Sequence, residues 1–190
     1  MIIQSNFKLE KWLKEFERIG SDILYLKRNN TDFLQLAALF NDKKLDQNFW
    51  EFAKRNYVSC MSMAIRRIAG TYRDGISLYK LLVDLRDNAK SVTRTWFLKE
   101  WPGAKNESIF VNFFGSDLSL KDSVVTGYIE ELDITTKAIR DRADQFEAHI
   151  DLNPKMDSQP TFNDIDKSVD IIVKIYKKFY YLFKQASINI

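Results

Sequence analysis

Between Ser119 and Leu152 the apolar positions Val125, Tyr128, Leu132, Ile139, Ala143, Phe146 and Ile150 recur at steps of three, four or seven residues. That spacing matches the 3.6-residue period of an α-helix and not the alternation of a strand, so it predicts one long helix with a single core-facing stripe. The same period recurs elsewhere. Trp12, Phe16, Ile19, Ile23 and Leu26 mark a first helix from an N-cap at Asn6 to about Lys27. Asn29 and Asn30 are expected to break it, with Thr31 capping a short, largely buried helix, TDFLQLAALFN. Asp46 should cap a helix reaching about Tyr72, with Trp50, Tyr57, Met61 and Ile68 inward. Ser77 and Ser91 are placed to cap two shorter helices, and SIFVNFF is read as a further helical turn. Thr161 or Asn163 caps a last helix whose band, Val169, Ile171, Ile172, Ile175, Tyr176, Phe179, Leu182 and Phe183, is wide enough to meet more than one neighbour.

Six glycines and three prolines in 190 residues are too few for a turn-rich β fold. The expectation is an all-α fold: an antiparallel bundle of long helices with short ones interposed, one domain over residues 1–190. The proline-bracketed NPKMDSQP forces the chain to turn back before the last helix. A net charge of +3 gives only weak preference for a polyanionic partner. Arg66, Arg67 and Arg73 gather near one helix end, and Lys174, Lys177, Lys178 and Lys184 decorate another helix. The single cysteine, Cys60, cannot form an internal disulfide and is expected as a small buried residue in a reducing, cytoplasmic compartment. Neither a signal-peptide core nor an apolar run long enough to span a bilayer is evident, so no membrane role is expected.

One histidine and one cysteine supply no zinc cluster of the usual kind, the Glu-x-x-His pairs of a di-iron bundle are missing, and no Gly-rich phosphate loop occurs. No metal or cofactor is therefore expected. The chemistry that remains needs an imidazole and a guanidinium. Arg142 lies seven residues before His149, two α-helical turns less roughly 20°, so both project from one face of a regular helix, with Gln145 on the same narrow stripe. Arg140, nine residues before His149, points to the opposite side. Asp141, Asp144, Glu147 and Asp151 fall farther round and read as solvated. Cleavage of RNA by its own 2′-hydroxyl fits such a pair: the imidazole moves protons and the guanidinium stabilises charge on the phosphate. DNA lacks the attacking group.

An arginine and a histidine separated by six intervening residues, near the end of a long helix, resemble the motif of the HEPN superfamily, which includes metal-independent ribonucleases of toxin and phage-defence systems. Within it the chain is similar to the AbiU2-type proteins over IRRIAGTYRDGISLYKLLVDL, IRDRADQFEAHID and the proline-containing linker with its final helix. The resemblance implies Arg142 and His149 as the catalytic pair and a homodimer with a composite RNA-cleaving cleft. By analogy it also implies a protein antitoxin or regulator as partner. Arg73 and Asp74 are expected first as a turn cap or ion pair, and otherwise, with Gln145, as auxiliary phosphate contacts. The alternative is a catalytically inactive helical module that binds a protein or RNA.

Overall fold

The computed structural model describes residues 2–43, 46–71, 75–100, 111–148 and 160–184. The fold is all-α, with no strand among the described residues. Its helices are α1 (Ile2–Lys43), α2 (Gln47–Ala69), α3 (Leu78–Asp87), α4 (Arg94–Glu100), α5 (Asp122–Arg142) and α6 (Phe162–Lys184). A 3₁₀ turn, Ala89–Ser91, joins α3 to α4, and a π turn, Ala143–Ala148, follows α5. An isolated antiparallel bridge between Thr93 and Ser119 clips the entry of α4 to the approach to α5. None of the described helices is long and apolar enough to cross a membrane.

Cross-helix pairs fix the topology. Along α1 and α6, Phe16 meets Phe183, Lys27 meets Asp170 and Asn30 meets Asp166, so the two run antiparallel. Phe40 with Trp50 and Asp22 with Arg67 set α2 antiparallel to α1. Tyr128 with Phe179 and Glu131 with Lys174 do the same for α5 and α6. The four long helices thus alternate up and down, the short α3 and α4 lying between them in sequence. One apolar cluster contains Trp12, Leu82, Leu132 and Phe179 among residues from every long helix. The expected inward faces of α1 and α6 are buried throughout, and α6 packs against α1, α2 and α5 together.

Local capping follows the sequence at three helices. The Asp46 carboxylate accepts from Phe49 N–H, Ser77 Oγ from Lys80 N–H, and Thr161 Oγ1 from Asp164 N–H while Asp164 reaches back to Thr161 N–H. Elsewhere the chain departs from expectation. Asn6 lies inside α1, and Asn29 and Asn30 do not break it: Thr31 Oγ1 donates to the Lys27 carbonyl one turn back instead of opening a helix. Asn30 is buried, donating to Asp166 at 2.7 Å and accepting the Tyr57 hydroxyl at 2.5 Å. Partners on two other helices outweigh its intrinsic preference for a turn. Beyond it Phe33 is buried but Leu34 and Leu39 are exposed, so the segment is not largely buried. Thr93 rather than Ser91 caps α4, and α2 ends at Ala69 rather than Tyr72. Residues 111–113 of SIFVNFF are helical; residues 108–110 and the NPKMDSQP turn up to residue 159 lie outside the described residues.

Candidate functional site

The segment that carries Arg142 is not one regular rod. Regular α winding stops at Arg142, and residues 143–148 take the wider i→i+5 turn. The expectation of an unbroken α-helix to Leu152 is therefore corrected. Each residue of a π turn advances by a smaller angle, so the two-turn arithmetic that set position 149 on the Arg142 face no longer applies. His149 itself, with Arg73 and Asp74, lies outside the described residues. The change of phase is visible one turn earlier: Ala143 is buried on the core stripe, but Phe146, expected beside it, is exposed.

Around Arg142 the turn builds a polar cluster. The Arg142 guanidinium donates to Glu147 Oε1 at 3.3 Å and lies 5.6 Å from the centre of the Phe146 ring. Glu147 Oε2 accepts the Ser59 hydroxyl of α2 at 2.5 Å, and two turns along α2 Arg66 Nε donates to Asp144 Oδ1 at 2.5 Å. Ser59 and Arg66 are seven residues apart on α2, so they share the face that meets the turn. Glu147 and Arg142 keep only 15% and 18% of their side chains exposed, so Glu147 is not a solvated residue as expected. Asp144, more open, is drawn into the same contact.

Gln145 shares this turn, and nothing among the described residues donates to its buried side-chain carbonyl. Arg140 turns back along α5, donating to Thr136 Oγ1 and pairing with Asp133. The structure therefore brings Arg142 and Gln145 into one turn and directs Arg140 elsewhere.

Beside this cluster a cleft of about 440 Å³ opens between α1, α2 and the segment before α3, lined by Tyr25, Cys60, Met63, Arg66, Arg67 and Ser77. Cys60 is exposed there, not buried: the apolar stripe of α2 faces α5, α1 and α6 and leaves position 60 on the open side. Arg66, Arg67 and Arg142 each face a carboxylate, those of Asp144, Asp22 and Glu147. Ser59, Arg66 and Glu147 were missed as site residues because their encounter joins α2 to a turn some eighty positions away. An acidic residue five positions after Arg142 is the one local signal, and it is meaningful only if the winding is known. No family model, curated protein or solved structure matches the chain.

Proposed function

We propose that the chain is a HEPN-type, AbiU2-like endoribonuclease acting as a cytoplasmic homodimer in a toxin or phage-defence role, with Arg142 and His149 as its catalytic pair. In the reaction the RNA 2′-hydroxyl loses its proton to an imidazole and attacks the adjacent phosphorus. The new O–P bond closes a 2′,3′-cyclic phosphate as the 5′-oxygen leaves and takes a proton from the imidazole of the second copy. Arg142 stabilises the charge on the phosphate oxygens. No step calls for a metal, because the substrate supplies its own nucleophile.

The supporting observation is the winding of the helix. The π turn begins at the residue after Arg142, and departures of this kind are rare and recur at functional sites. A non-catalytic helical module that binds a protein partner or RNA is favoured instead by Glu147, whose carboxylate already occupies the guanidinium that a phosphate would need.

Incubation of the purified chain with single-stranded RNA in the presence of a chelator separates the two. Fragments ending in cyclic phosphate are expected from the unsubstituted chain. None are expected from His149→Ala, with its helical circular-dichroism spectrum retained. Arg142→Lys keeps the charge but loses the planar fork, and its rate should fall at least about tenfold. Equal trace activity in the unsubstituted chain and His149→Ala would end the enzymatic proposal and leave the module.

A further inference from the structure

The α2 helix presents a second stripe, opposite the one it buries. Phe49 is 50% exposed, Phe52 62% and Met63 37%, and Asn56 and Cys60 are exposed between them. At 3.6 residues per turn these five side chains fall within roughly 80° of arc. Phe49, Asn56 and Met63 repeat at seven residues with Phe52 interposed, the spacing of a coiled-coil seam. The rest of α2 is engaged otherwise: Tyr57, Met61, Ile65 and Ile68 enter the core, and Ser59 and Arg66 meet the π turn.

The order of residues in the stripe identifies what covers it. Asn56 stands midway between Phe49 and Met63, and midway between Phe52 and Cys60. A copy of the same helix laid antiparallel about a two-fold axis through Asn56 therefore sets Phe49 opposite Met63 and Phe52 opposite Cys60, twice over. This is the self-complementarity that an isologous interface requires. The two Asn56 amides meet on the axis, where each offers a donor and an acceptor to the other. A single polar residue within an apolar seam fixes its register.

We infer that α2 is the dimerisation helix of this protein, pairing antiparallel with α2 of a second copy about Asn56. A stable interface takes about 800 Å² from each partner, more than one helix face offers. Tyr25, 58% exposed and lining the same cleft as Cys60 and Met63, widens the seam on the α1 side. Phe146, on the turn bonded to Ser59, widens it on the other. The inference rests on the homodimer proposed above and says where its two halves join. Because Glu147 and Arg142 hang from Ser59 at the edge of the seam, the two Arg142 clusters lie on either side of one axis.

Cysteine cross-linking of the full chain tests the pairing. In a Cys60→Ser background, Asn56→Cys should form a covalent dimer on mild oxidation, seen on a non-reducing gel. With Cys60 retained, Phe52→Cys should cross-link to Cys60 of the second copy, and with Cys60→Ser it should not, since two positions 52 lie ~12 Å apart along the axis. Phe52→Glu should convert a dimeric mass in light scattering to a monomeric one with unchanged helicity. A monomeric mass for the unsubstituted chain, a dimer that survives Phe52→Glu, or cross-linking at position 52 but not 56 in the Cys60→Ser background would overturn the assignment. A dimer cross-linked at position 56 that does not cleave RNA supports the seam and ends the ribonuclease proposal. Cleavage by a monomeric chain does the reverse.

Discussion

Arg142 and Glu147 are five residues apart in sequence, yet their side chains meet at 3.3 Å. In a regular α-helix a five-residue step leaves two side chains roughly 140° apart, whereas a π turn stacks i over i+5. The ion pair is thus a product of the winding, and Glu147 ties that winding to α2 through Ser59.

Removing the carboxylate should loosen the turn. Glu147→Ala deprives the Ser59 hydroxyl and the half-buried Arg142 of an acceptor, and urea unfolding should record a loss of about 1–3 kcal/mol. Glu147→Gln retains an acceptor and should cost less. Under the ribonuclease proposal it also removes the negative charge that competes with a phosphate for the guanidinium, so single-stranded RNA should bind more tightly by fluorescence anisotropy. Affinity unchanged by Glu147→Gln would count against Arg142 as a phosphate contact.

Gly20 on α1 sits beneath Tyr176 of α6. A Cβ added there would fall 2.2 Å from the Tyr176 hydroxyl oxygen, which donates to the Phe16 carbonyl at 3.2 Å. Alanine favours a helix over glycine by about 1 kcal/mol, but overpacking a closed interior costs about 1–3 kcal/mol. Gly20→Ala should therefore destabilise on balance. Tyr176→Phe removes the clashing oxygen, so the double variant should be more stable than the sum of the two single losses. Strict additivity in urea unfolding would show that the hydroxyl is not the obstacle.

Asp84 on α3 joins the N-terminal part of α1 to the bundle, accepting from Trp12 Nε1 and Lys11 Nζ, each at 3.0 Å. Burial pushes its carboxyl up, but the hydrogen bonds from Trp12 and Lys11 and the charges of Lys11 and Lys8 together outweigh it and hold it below 3.8. A carboxyl depressed by folding contributes stability that is fully present above its unfolded value and is lost as pH falls through the folded one. Stability should accordingly drop below about pH 4, and Asp84→Asn should flatten that drop in urea unfolding compared at pH 7 and pH 3. An equally steep acid loss in the variant would place its origin at other carboxylates.

Most of the architecture was legible before any coordinates. The buried faces of α1 and α6 and the caps at Asp46, Ser77 and Thr161 follow from periodicity and from hydrogen bonds within four residues, so the chain writes them locally. Asn30 shows where this fails. Read alone it ends a helix; held between Tyr57 and Asp166 it sits inside one of 42 residues.

By itself the sequence determined an all-helical fold, the apolar faces of α1 and α6, and the presence of Arg142 near the end of a long helix. Only tertiary structure decided that the helix changes its winding after Arg142, that Phe146 leaves the core, that Cys60 is open, and that Arg142 faces Glu147 beside α2. The physical reason is range. A helical turn is specified by residues three and four apart, whereas a π turn and a half-buried ion pair are stabilised by partners such as Ser59 and Arg66, on another helix and far away in sequence.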